Sequence, residues 1–158
     1  MNFRFAEERD SSKILFFIKE LAEYEKMSDE VVATEEDIRR ELFDKKSAEV
    51  VFSLDENGSE TGFALFFTTF STFLGKCGIH LEDLYVLPER RGEGFGRGLL
   101  VYLAKLCCER GYGRLEWTCL NWNEPSLSFY TSLGAEIMDE WSLLRLSGDG
   151  LDSLAKNG

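Results

Sequence analysis

The chain has 158 residues, 44% of them apolar, with 29 acidic against 18 basic side chains and a formal net charge of −11. That length suits one domain with its own core, and the apolar content argues against disorder. The acidity excludes nucleic acid as an expected partner, because phosphate repulsion would meet no broad basic face, and no apolar run reaches the roughly 18 residues of a membrane span.

The same acidity favours a small cationic partner, whose local concentration a negative field raises. The opening "MNFRFAEERD" carries acids and no apolar h-region, so no secretory signal is expected and the expected setting is cytoplasmic. Cys77, Cys107, Cys108 and Cys119 form no C-x-x-C pair and read as small buried residues in a reducing compartment. With His80 the only histidine, no metal site is expected. His80 itself reads as a strand residue in or near a hairpin.

"NFRFA" alternates Phe3 and Phe5 with polar residues, a first strand. Asp10 or Ser11 can cap a helix whose stripe Ile14, Phe17, Ile18, Leu21 continues to about Lys26. Thr34 and Asp37 resemble a capping box, Asp standing for the usual Glu, and open a second helix to about Phe43. "AEVVFSL" is a strand, followed by a turn on Asn57-Gly58. "GFALFFTTF" is a nearly continuous apolar strand, which implies burial on both faces. "CGIHLEDLYVL" is another, ended by Pro88. A glycine segment leads into a helix to about Arg110, with Leu99, Leu103 and Leu106 on one stripe and Gly111 and Gly113 after it. "RLEWTCL" is a strand. A helix starts near Asn123 with Pro125 in its first turn and Gly134 past its end. "AEIMDEWSLLRLSG" is predicted to form two closing strands, and the polar tail from Gly148 to fray. The order predicts a mixed α/β fold: an antiparallel meander, then a βαβ crossover that makes two strands parallel.

The segment "RRGEGFGRGLL" carries the chemistry. A helix start leaves its first amide N–H groups without intrahelical partners at the positive end of the dipole, and glycines remove the Cβ atoms that would hold an anion away. Gly92 to Gly96 therefore reads as an anion cradle, with Arg91 and Arg97 adding charge. No Lys follows the glycines as in a P-loop, and their spacing departs from G-x-G-x-x-G. The pattern present is R-x-x-G-x-G, Arg91-Gly92-Glu93-Gly94-Phe95-Gly96, after "EDLYVLPER" and before an amphipathic helix. It resembles the acetyl-CoA pyrophosphate loop of the GNAT N-acetyltransferases. "KELAEYEKM", "HLEDLYVLPERRGEGFG" and "NWNEPSLSFYTSLGA" with Trp141 are similar to the spermidine/spermine and thialysine N-acetyltransferases, over roughly Phe3 to Leu146.

The resemblance implies a GNAT fold over residues 1–147 as a single domain, with 148–158 a polar tail. Its mostly antiparallel sheet has flanking helices and a splayed strand pair that takes the pantetheine arm of acetyl-CoA. It also implies a homodimer. By resemblance, Leu84, Tyr85 and Val86 hold the cofactor through their backbone. Arg91, Gly92, Glu93, Gly94, Phe95, Gly96 and Arg97 bind the diphosphate, and Asn123 and Ser126 contact the cofactor. Glu82 is the base acting through water, and Tyr130 the general acid that also touches the cofactor. Tyr24, Glu25, Glu82, Asp83 and Trp141 line the amine site. Strand alternation predicts Glu82 and Asp83 on opposite faces. An alkyl ammonium near pKa 10.4 must lose a proton before it attacks, so such a base is needed. Where the polyamine enzymes carry an acid and a Trp, Ser71 and Phe73 stand here, which favours a shorter amine or a thialysine-like amino acid. Acetylation of a protein N-terminus or lysine, and a non-catalytic acetyl-CoA sensor, are the alternatives.

Overall fold

Five strands form one sheet in chain order: β1 (Asn2–Phe5), β2 (Glu49–Leu54), β3 (Glu60–Ser71), β4 (Lys76–Val86) and β5 (Leu115–Trp117). The first four pair antiparallel, and β5 lies parallel to β4, as the crossover predicted. The structure, a computed structural model, describes residues 1–156. They fall into two units, Met1–Thr118 and Cys119–Gly158, the sheet belonging wholly to the first.

Helix α1 (Ser11–Tyr24) covers one face of the sheet. Its Phe17 stacks on Phe63 at 5.2 Å and lies 5.8 Å from Phe52, and Ile14 joins the same core with Val50, Leu65 and Tyr85. The Asp10 carboxylate does not cap α1. It accepts from the Glu7 amide at 2.8 Å and takes two hydrogen bonds from Arg4, which also reaches Glu60 at 2.6 Å. The chain leaves α1 at Lys26, whose φ of 61° ends the helix two residues after Tyr24. The Thr34–Asp37 capping box is present, yet it opens only one α-helical turn, α2 (Glu35–Ile38), which relaxes into a π-helical stretch, Arg39–Asp44.

Helix α3 (Phe95–Glu109) covers the other face. Tyr102 packs its ring against Phe3 at 5.0 Å and Phe5 at 6.2 Å. Gly98 makes that approach possible: an added Cβ would collide with Met1 and press Phe3. This glycine of the segment serves packing, and an anion has no part in it.

Strand β3 is buried on both faces only from Thr61 to Phe66; its outer half is exposed at Thr68 and Phe70. There it runs past the helices toward the hairpin tip. Cys107 is buried, with its thiol donating to the Arg114 carbonyl, whereas Cys108 is exposed, against the expectation that all four cysteines are inside. Neighbouring helix positions point in different directions, so only one of the pair can face the sheet.

In the second unit, α4 spans Glu124–Ser132 with Asn123 as its cap, and Gly134 at φ 93° closes it. The two closing strands are not formed. Residues 136–147 pair with no described strand and are exposed, Trp141 at 75%. Apolar residues alone do not make a strand, because its backbone groups need a neighbour to bond. The segment expected to fray is instead a helix, α5 (Gly148–Lys156), with Asp149 in its first turn and Lys156 in its last, as the dipole favours; residues 157–158 lie outside the described range.

Candidate active site

Strands β4 and β5 separate where the site was expected. Their parallel pairing covers Ile79, His80 and Leu81 against Leu115, Glu116 and Trp117, and then stops. Strand β4 continues for five residues to Val86, held by β3 alone. In an antiparallel pair only alternate residues bond the partner, so every second backbone group of Asp83–Val86 faces away from β3. The positions Leu84, Tyr85 and Val86 lie on this stretch.

The register of β3 and β4 slips at the same place. Leu65 pairs with Asp83 and Phe66 with Leu81, which leaves Glu82 as the extra residue of a β-bulge. The bulge breaks the alternation that predicted Glu82 and Asp83 on opposite faces. Asp83 sits opposite Leu65 and His80 opposite Phe67, and Leu65 and Phe67 share a face. The Glu82 carboxylate lies 3.5 Å from the His80 ring, so all three side chains gather on one face. His80 is the strand residue that the sequence predicted, two places before Glu82. The His80 ring packs on Phe67 at 5.0 Å.

Burial pushes the Asp83 carboxyl up from 3.8 to about 7, and the Glu82 and Glu25 carboxylates add repulsion. Glu25, the residue that ends α1, is also raised by burial. Three carboxylates thus crowd one half-buried spot, which a cation would relieve.

The glycine segment follows a short turn at Pro88–Arg90. Gly92 and Gly94 hold φ of 81° and 88°, a conformation that favours glycine. A Cβ at Gly92 would meet nothing within 4 Å, and one at Gly94 only Met1 Cε at 3.9 Å, so the loop backbone lies open. Gly94 begins α3 without any side-chain cap, whereas Thr34 caps α2 and Asn123 caps α4. An uncapped helix start behind a bare loop fits a diphosphate. The Phe95 side chain is buried under Arg90, whose guanidinium lies 5.3 Å from the ring. Arg90 also pairs with Glu93 at 3.3 Å, bracing the loop. Gly96 is half-buried and Arg97 exposed on the first turn of α3.

Arg91 points elsewhere than expected. Its guanidinium lies over the rings of Tyr24 at 4.8 Å and Tyr85 at 5.2 Å, and its Nε donates to the Val86 carbonyl at 3.1 Å. In the second unit, Asn123 is buried and accepts from the Ser126 amide at 3.3 Å, while Tyr130 is half-buried beside Phe129 at 5.4 Å. Ser71 is buried and its hydroxyl accepts from the Leu74 amide in the β3–β4 turn, and Phe73 is 99% exposed.

Residues 16–135 match the model of the acetyltransferase (GNAT) family. The chain belongs to the GNAT acetyltransferase family. It is an acetyltransferase, and its five-stranded, mostly antiparallel sheet with flanking helices is the fold of that family. It is 35% identical to the thialysine N-epsilon-acetyltransferase of Bos taurus, over 96% of this chain and 95% of that one. It is 41% identical to the L-ornithine N5-acetyltransferase of Arabidopsis thaliana, over 60% of this chain and 42% of that one. Among solved structures, an integron cassette protein from the mobile metagenome of V. cholerae superposes with a TM-score of 0.82 at 25% identity, covering 98% of this chain and 97% of that one. Among the described residues no helix is long and apolar enough to cross a membrane.

Proposed function

We propose that this GNAT acetyltransferase moves the acetyl group of acetyl-CoA to the primary amine of a small cationic molecule, by direct attack without a covalent enzyme intermediate. One observation carries the reading. Within a single unit, an open glycine loop leads to an uncapped helix, and three carboxylates crowd the bulge where β4 leaves β5. The first suits a diphosphate and the second an ammonium group.

The diphosphate lies against the backbone of Gly92, Glu93, Gly94 and Gly96, with Arg97 and Arg91 supplying charge. Phe95 contributes its backbone N–H alone, since its side chain is in the core. Backbone groups of Leu84 and Val86 bond the pantetheine arm along the unpaired edge of β4, whereas the backbone of Tyr85 turns to β3, in step with the Leu87 amide on the Thr61 carbonyl. The family resemblance adds Asn123 and Ser126 as cofactor contacts. Acetyl-CoA supplies the acetyl group as an activated thioester.

Glu82, more than half exposed, accepts the proton of the attacking ammonium through water, and Tyr130 gives its phenolic proton to the departing thiolate. Asp83 and Glu25 hold the rest of the cationic substrate, with Tyr24 as an aromatic wall. Cation binding draws the Asp83 carboxyl down from about 7, so amine binding releases a proton near neutral pH.

The thialysine and ornithine relatives support a short diamine or an amino acid with a side-chain amine. The Ser71 hydroxyl serves the hairpin turn, which supplies no carboxylate for a distant second ammonium. A cytoplasmic homodimer is the proposed setting; the four free cysteines support a reducing compartment.

Thiol release from acetyl-CoA, followed with thialysine, ornithine, spermidine and a lysine peptide, tests the assignment. The expected order of kcat/KM places thialysine and ornithine above spermidine, with the peptide last. Absence of release with every small amine would overturn it.

A further inference from the structure

Arg91 occupies a position that a cationic substrate should want. Tyr24 and Tyr85 stand edge to face with ring centroids 6.5 Å apart, and the Arg91 guanidinium lies over both rings. It also hydrogen-bonds the Tyr85 hydroxyl and the Val86 carbonyl. Glu25 follows Tyr24 directly in the chain, and its carboxylate acts on Asp83. Two aromatic faces beside two acids form a site for an organic cation. The cation present is the protein's own, carried on the loop whose next residue, Gly92, begins the bare anion cradle.

We infer that Arg91 is an internal stand-in for the substrate's non-reacting ammonium group, and that an anion on the glycine loop draws Arg91 off the Tyr24–Tyr85 rings and opens that subsite to the amine. This rests on the acetyltransferase reading and adds coupling between the two substrates. Arg91 is a positioning residue here: it sets the binding order, acetyl-CoA before amine, and disfavours amines while the loop is empty. The exchange needs no backbone change. An arginine side chain reaches a diphosphate on its own loop by rotating about its χ angles, trading two cation–π contacts for a charge-assisted fork.

Linkage makes the coupling reciprocal. Calorimetry with thialysine, ornithine and spermidine, each titrated with and without saturating CoA, reads it directly, and CoA without an acetyl group prevents turnover. In the native protein CoA should tighten at least one amine by about five- to thirtyfold, the range to which two such contacts convert. In Arg91→Gln the amine should bind without CoA about as tightly as it binds the native protein with CoA, and the coupling should fall below about twofold. In Tyr24→Leu amine binding should weaken with CoA present. CoA heat with no effect on any amine, or full coupling retained in Arg91→Gln, overturns this inference while leaving the acetyltransferase reading intact. No CoA heat in the native protein overturns both. A thermal melt of each variant, expected within a few degrees of the native protein, separates loss of coupling from loss of fold.

Discussion

Asp83 offers a test that needs no substrate. Its carboxyl is raised from 3.8 to about 7 in the folded chain by burial, with Glu82 and Glu25 nearby. The unfolded chain restores the ordinary value. A group raised on folding contributes its full stability below the unfolded value, and that contribution is lost as pH climbs through the folded one. The native protein should therefore lose stability from about pH 4 to about pH 8 relative to Asp83→Asn, which keeps the shape and removes the charge. The interval between 3.8 and about 7 corresponds to at most about 4 kcal/mol, and the water reaching this half-buried carboxyl brings the expected gain to about 2–3 kcal/mol. For a chain of this length that is roughly 5–12 °C in Tm. Urea unfolding followed by tryptophan fluorescence at about pH 5 and about pH 8.5 reads the difference. The variant should show roughly a third to a half of its gain at the lower pH and all of it at the higher. Equal differences at both values, or a variant weaker at high pH, would refute the reasoning about the carboxylate cluster.

Gly94→Val places a β-branched side chain at φ 88° and on the open cradle, so it should cost about 1–2 kcal/mol of stability and abolish CoA heat in calorimetry; retained binding would remove the loop from cofactor recognition. Tyr130→Phe should lower kcat by about 10²-fold with little change in acetyl-CoA affinity, and unaltered turnover would exclude the phenol from proton transfer. Phe17→Ala, at a position 1% exposed between Phe52 and Phe63, should lose about 3–5 kcal/mol in urea unfolding. Gly98→Val should lose about 1–3 kcal/mol because Met1 and Phe3 leave its Cβ no room, and a neutral outcome would show that the N-terminal residues move aside freely.

Much of the fold was legible because local signals agreed. The Asn57-Gly58 turn, with Gly58 at φ 80°, the Thr34–Asp37 box and the Asn123 cap each follow from a few adjacent residues. The crossover from β4 through α3 to β5 followed from element order alone. The departures depend on contacts remote in sequence. The bulge at Glu82 exists only in the register with Leu65 and Phe66, and no feature of "HLEDLYV" by itself announces it. Arg91 was read as an anion ligand because its neighbours are glycines, yet its partners Tyr24 and Tyr85 are brought to it by α1 and β4. The stretch after Gly134 is apolar enough to suggest strands, but pairing decides a strand, and the described strands offer it none. The candidate site was legible as a set of residue types and hidden as a geometry.

The single surplus residue in β4 acts as a phase shifter. Beyond it, Tyr85 points into the layer under α1; before it, Ile79 and Leu81 are turned to the opposite side of the sheet. Removing one codon at Glu82 would bring these two runs into step. Asp83 would then follow Leu81 directly and stay opposite Leu65, with Leu81 still opposite Phe66 and His80 opposite Phe67, so every side chain keeps its face and the chain loses only the Glu82 carboxylate. Loss of this one residue should therefore spare the sheet and cost the site its proposed base, which separates the needs of the fold from those of the chemistry at a single position.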